Sequence, residues 1–101
     1  MGRRLERLVA ERMMRDTSAR YWGYELSKEI GASSGAIYPL LSRWFERGWL
    51  TDGWETREEC GPRPARRYYE LSSTGARALQ RILARPESVP RASKFAPRPA
   101  R

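Results

Sequence analysis

A chain of 101 residues is one domain's length, and this one carries 20 Lys and Arg against 12 Asp and Glu, a net charge of +8. It has no histidine and one cysteine, which excludes a His-based catalytic triad, a His metal site, an internal disulfide and a zinc cluster. No stretch approaches the roughly 18 apolar residues a membrane span requires, and the N-terminus is too charged for a signal peptide. A non-enzymatic cytoplasmic protein, without cofactor or metal and with an acidic partner such as nucleic acid, is the class that remains.

The predicted elements begin with a helix over Arg3–Arg15, with Leu5, Leu8, Val9 and Met13 on one face. A polar connection over Arg15–Trp22 follows. Trp22, Leu26 and Ile30 then recur at i, i+4 and i+8, which marks a short second helix, and Gly31 ends it as a left-handed cap. Ser33 or Ser34 opens a third helix, its hydroxyl able to accept a free backbone N–H. There Ile37, Leu40, Leu41, Trp44 and Phe45 follow the helical repeat and are expected to face a core. Ser34, Gly35, Tyr38, Ser42 and Arg43 lie opposite, and all are small or hydrogen-bonding.

Two short helices joined by a tight Gly-Ala turn are a helix-turn-helix, whose second helix enters the major groove. The alternative is a plain helical hairpin with a solvated outer face. Pro39 stands inside the third helix, where a mid-helix proline costs about 3 kcal/mol. It reads either as a shape feature of the DNA-facing side or as a tolerated kink.

Gly48 closes the third helix, and Trp49–Glu55 reads as a short strand. Thr56–Pro64, with Gly61, Pro62 and Pro64, reads as a loop. Ala65–Leu71 is a strand of period 2, with Arg67, Tyr69 and Leu71 on one side. Arg57, Arg63, Arg66 and Arg67 surround the loop, where guanidinium groups match phosphate geometry. A last helix starts at Ser72 or Ser73, with Ala76, Leu79, Ile82 and Leu83 as its stripe. The helical pattern stops near Arg85. The fold class is mainly α with a small β-hairpin: a winged helix-turn-helix with a two-stranded antiparallel wing.

Trp22-Gly23-Tyr24-Glu25-Leu26 resembles the Tyr-Gly-Tyr-Glu signature of PadR-like transcriptional regulators. The run from Ser34 to Arg43 is similar to that family's recognition helix, Gly61 to Ser72 to its wing, and Thr74-Gly75 to its next helix start. The polar Arg15–Trp22 connection and the extra proline and Glu-Glu-Cys tip of the wing depart from the pattern. The resemblance implies a homodimeric repressor on an inverted repeat of double-stranded DNA. By position it assigns Ser34, Gly35, Ala36, Tyr38, Pro39 and Arg43 to DNA recognition, and Arg63, Pro64, Arg66 and Arg67 to wing contacts. Arg63 and Arg66 are expected on phosphates, and Tyr38 and Ser34 in the groove. It also raises the idea of a small aromatic effector at Trp22 or Trp54. Most of the four tryptophans are expected in the core.

Residues 1–85 are thus expected to form the DNA-binding domain, with dimer contacts from its terminal helices through Leu5, Leu8, Met13, Leu79, Ile82 and Leu83. Residues 86–101, with four basic groups among four prolines, read as a disordered basic tail. Association with the nucleoid follows from the DNA reading. The rival reading is a winged helix serving as a protein adaptor or an architectural or recombination accessory. RNA binding lacks support, since Tyr68 and Tyr69 face opposite sides of a strand rather than forming a stacking platform.

Overall fold

In the computed structural model, which describes residues 2–85, the helices after the first each begin or end on a cap that their own sequence provides. In chain order the elements are α1 (Gly2–Met14), β1 (Arg20–Tyr21), α2 (Gly23–Ile30), α3 (Ser34–Glu46), β2 (Leu50–Trp54), α4 (Arg57–Cys60), β3 (Arg67–Leu71) and α5 (Ser73–Ala84). Residues 86–101, read from the sequence as a basic tail, lie outside the described residues.

Ser33 is the cap of α3: its Oγ accepts the Ala36 N–H at 3.2 Å. Ser72 does the same for α5, accepting the Gly75 N–H at 3.0 Å. At the other end of α3, Gly48 adopts φ 78°, and the Trp49 N–H reaches back to the Trp44 carbonyl at 2.9 Å. That closure satisfies carbonyls a helix end leaves free, and a Cβ would strain it.

The sheet is three-stranded in the order β1-β3-β2, all antiparallel. The two-stranded wing expected from the sequence therefore gains a strand, because the polar connection after α1 pairs Arg20 with Glu70 and Tyr21 with Tyr69. β3 lies between the other two strands, paired along its whole length with β2 and at Tyr69 and Glu70 with β1. The architecture is a winged helix-turn-helix.

The core forms where α1, α2, α3 and α5 meet the inner face of this sheet: Val9, Met13, Leu26, Ile37, Leu40, Leu41, Trp44, Leu50 and Leu79 are almost wholly enclosed. Trp44 is its largest member, and its Nε1 has no hydrogen-bond partner. An unpaired buried N–H costs about 1–3 kcal/mol. Burying an aromatic side chain of this size contributes roughly 4–6 kcal/mol, so burial wins. Of the other tryptophans, Trp49 is half-buried against Trp44 with ring centroids 5.7 Å apart, Trp22 is half-buried, and Trp54 is exposed.

Three expectations about packing are corrected, the first being that most tryptophans lie in the core: Trp44 alone of the four is enclosed. Phe45 is 37% exposed rather than in the core. The buried stripe of α3 ends at Trp44, and Phe45 lies one residue, about 100° of helical rotation, beyond it. Arg67 covers its ring instead, at 5.3 Å. Met13, Leu79 and Ile82, assigned to a dimer interface, are core residues of this chain at the seam of α1 and α5. A side chain already enclosed within one chain has no surface left for a second. Leu5, Leu8 and Leu83 stay half-exposed. Arg7 reinforces the seam by donating to the carbonyls of Ile82, Leu83 and Arg85 at 3.2–3.3 Å, at the end of α5 where the helical i+4 donors run out.

Candidate nucleic-acid interface

The inner face of α3 is buried through Ile37, Leu40, Leu41 and Trp44, which leaves its outer face to solvent. Ser34, Gly35, Tyr38, Pro39, Ser42 and Arg43 are exposed there, and Ala36 is half-buried. These are the residues that the sequence grouped, brought onto one surface. The helix runs through Pro39 without a break. Proline cannot donate to the carbonyl four residues back, so the Gly35 carbonyl lacks its usual helical donor.

Tyr38 is not a free probe on this surface. It is 44% exposed, and its ring lies against the first residue of α2. A Cβ on Gly23 would fall 2.5 Å from Cε1 and 2.7 Å from Cζ of that ring. Gly23 is therefore the space into which Tyr38 packs, and the two motifs quoted from the sequence meet here.

The wing is more ordered than a Gly/Pro loop. Thr56 and Glu59 form a capping box: the Glu59 N–H donates to Thr56 Oγ1 at 3.1 Å and the Thr56 N–H to Glu59 Oε1 at 2.8 Å. This folds Arg57–Cys60 into a helical turn within the segment read as a loop. Glu59 also accepts from Arg20 Nη1 at 2.9 Å, tying the turn to β1, and Arg20 lies 4.0 Å over the Tyr68 ring.

Glu55 organises the rest. Its side chain is 4% exposed and takes Arg63 in a two-pronged contact at 2.7 and 3.1 Å, with Arg66 on the same carboxylate. Arg63 and Arg66 are thus held inside the wing, with their side chains 43% and 42% exposed. Arg67 pairs with Asp52 at 2.8 Å on the side facing Phe45. Pro64 is exposed beside them. Arg43 and Arg57 are exposed and enter no ion pair among the described residues. Sequence reasoning missed Glu55, Gly23 and Arg20. An acid at the end of the β2 segment, one of four between Asp52 and Glu59, is the only hint of the first.

The contact with Arg63, with the Arg66 backbone and side chain, holds the Glu55 carboxyl down at about 2 from an ordinary 4.5. A depressed carboxylate contributes stability that is fully present above pH 4.5 and lost as pH falls toward 2. Amide protection in Glu55–Arg67, taken relative to the intrinsic exchange rate at each pH, is expected to fall through that window ahead of the α1/α5 core. In Glu55→Gln protection should be low already at neutral pH and unchanged across the same window. Equal, unchanged protection in both proteins would show that the carboxylate does not hold the wing.

The two tryptophans considered for an effector do not converge. Trp22 meets Tyr68 edge-on at 6.1 Å and carries the Arg66 guanidinium at 5.2 Å, whereas Trp54 is 63% exposed on β2. Among the described residues no three His, Cys, Asp or Glu side chains group as metal ligands, and no helix is long and apolar enough to cross a membrane.

This geometry has known counterparts. The structure of Bacillus subtilis PadR in complex with operator DNA superposes with a TM-score of 0.69 at 18% identity, over 88% of this chain and 50% of that one. A PadR family transcriptional regulator from Eggerthella lenta DSM 2243 gives 0.61 at 25% identity, over 80% and 74%. The chain thus spans about half the length of the first of these relatives. No protein of curated function matches it in sequence. The family model for transcriptional regulators of the PadR-like family matches residues 13–81, from the end of α1 through most of α5, and the chain belongs to that family.

Proposed function

We propose that this domain binds double-stranded DNA as a homodimer on an inverted repeat and represses transcription. The observation that carries the reading is the outer face of α3, polar and exposed while its inner face is wholly buried. A relative of the same fold was solved in complex with operator DNA, which supports the partner. In this reading α3 lies in the major groove with Ser34 and Tyr38 toward the bases. Gly35, Ala36 and Pro39 make the close backbone approach, and Arg43 takes a phosphate. The wing, through Arg63, Pro64, Arg66 and Arg67, meets the flanking backbone.

Dimer contacts come from the half-exposed Leu5, Leu8 and Leu83. Leu8 and Leu83, with Met14 and Ile30, line an open depression of about 530 Å³. A small aromatic effector stacks on Trp54, the exposed indole of the two considered. The protein works without catalysis, at the nucleoid in the cytoplasm.

Selection of sites from a random duplex library at near-physiological salt tests this. One inverted repeat preferred by about 10³-fold or more over random DNA, bound by two chains, is the expected result. Absence of an enriched motif would turn the reading toward an adaptor or architectural role. On the selected site, Tyr38→Ala should relax discrimination. Arg63→Ala should weaken all sequences alike and flatten the salt slope by about 1. Intact discrimination in Tyr38→Ala would remove that residue from the groove.

A further inference from the structure

Glu55 follows β2 directly, at a place where neither strand pairing nor core packing calls for an acid. Donors converge on both its oxygens. Oε1 accepts from Arg63 Nη1 at 2.7 Å and from the Arg66 backbone N–H at 2.9 Å. Oε2 accepts from Arg63 Nη2 at 3.1 Å, and from Arg66 Nη2 and Nε at 3.2 and 3.3 Å. The Glu55 N–H returns a bond to the Arg66 carbonyl at 3.0 Å, which fixes the loop's two ends together.

The exposure of the three side chains differs in an informative way. The carboxylate is 4% exposed, while the guanidinium-bearing side chains are 43% and 42% exposed. A phosphate arriving from solvent meets the outer edges of both arginines and has no access to Glu55. Drawing either arginine away would leave an enclosed carboxylate short of donors, which is strongly unfavourable. Phosphate therefore adds to the pair rather than replacing its anchor. Arg66 is also touched from outside by Glu25, whose side chain is 50% exposed, through Nη1 at 3.5 Å. That contact is at the limit of a hydrogen bond and open to water, so an incoming anion can take its place.

We infer that Glu55 is a positioning residue for phosphate recognition by the wing: it holds Arg63 and Arg66 as a preset pair of guanidinium groups, and Glu25 is the counter-ion that a DNA phosphate displaces. The inference rests on the DNA-binding reading above. Its physical basis is that two long side chains already ordered need not be ordered by the DNA.

The test is the sign of two neutralising substitutions. Glu55→Gln and Glu25→Gln each remove one negative charge from the wing side, so charge alone makes both variants bind a mixed-sequence duplex more tightly. Positioning makes them differ. Glu25→Gln should bind about two- to threefold more tightly, whereas Glu55→Gln should bind about tenfold more weakly, the loss of an oriented charge-assisted contact. Tighter binding by both, or unchanged binding by Glu55→Gln, overturns the role.

Arg63→Lys gives a second route that leaves the buried acid in place, should Glu55→Gln fail to fold. Lysine keeps the charge and loses the two-pronged contact, so about tenfold weaker binding supports positioning and equal binding overturns it. Nitrogen-15 NMR of the free protein reads the arrangement without DNA. Arg63 and Arg66 side-chain N–H signals should be resolved and slow to exchange in wild type and Glu25→Gln, and absent in Glu55→Gln. If wild type binds no duplex while those signals persist, the functional reading has failed and the carboxylate anchor stands. If the signals are absent from wild type, the anchor itself has failed.

Discussion

Gly75→Ala is expected to lower the melting temperature by roughly 8–16 °C, since among the described glycines from Gly23 onward it alone would set a Cβ against backbone atoms. A Cβ at Gly75 would overlap the Trp49 carbonyl oxygen and lie 2.7 Å from its carbon. The obstacle is backbone, so no rotamer relieves it. That backbone is itself pinned, because the Ser72 N–H donates to the Trp49 carbonyl at 2.9 Å and Ser72 Oγ to the Gly48 carbonyl at 2.6 Å. Forced overpacking costs about 3 kcal/mol at the upper end of its usual range. Alanine returns up to about 1 kcal/mol through helix propensity. The clash wins by about 2 kcal/mol, which sets the shift for a domain of this size. Gly35→Ala is the control: its nearest neighbour is Ser33 Oγ at 3.8 Å, so the propensity gain stands alone and the melting temperature should rise by a few degrees. Thermal melts followed by circular dichroism decide both. A Gly75→Ala protein as stable as wild type would mean that α5 does not dock on the turn after α3.

Gly23→Ala is expected to act on recognition far more than on stability. The atoms in its way belong to the Tyr38 ring, which is 44% exposed and can swing outward, so the domain should stay folded. The displaced ring then no longer faces the groove in its proposed pose. Discrimination between the selected operator and a one-base variant should fall about tenfold or more, within the roughly 1–3 kcal/mol that one base pair carries. The effect should vanish in a Tyr38→Ala background, since nothing is left to displace. Competition binding with the two duplexes measures the cycle. Equal losses from Gly23→Ala with and without Tyr38 would show that the glycine acts elsewhere.

The difference between these two glycines is instructive about what a sequence carries. Both stand in motifs that resemble the family, yet nothing in the chain says that one faces a carbonyl and the other a tyrosine. The same holds in the wing. Thr56 and Glu59 have the spacing of a capping box, but the glycine and prolines around them favour a loop reading. A two-residue strand such as Arg20–Tyr21 has no periodicity to detect and exists only because β3 offers it a partner. Phe45 continued the apolar repeat of α3 and still fell outside the core, since the repeat says which residues share a face and not how wide the covering surface is.

While the choice of Ser72 over Ser73 and the turn α4 came only with the structure, the sequence by itself determined the order of α1, α2, α3 and α5, the helix-turn-helix, the caps at Gly31 and Gly48, the exposed face of α3 and the family. All of these rest on local spacing and backbone preference, which act within a few residues. Only the tertiary structure decided which apolar residues of α1 and α5 are spent in the chain's own core, that Tyr38 rests on Gly23, and that Arg63 and Arg66 answer to Glu55. Those depend on contacts between segments distant along the chain or folded back across a loop. Burial and charge pairing are set by where the backbone brings side chains together, and no local pattern encodes that distance.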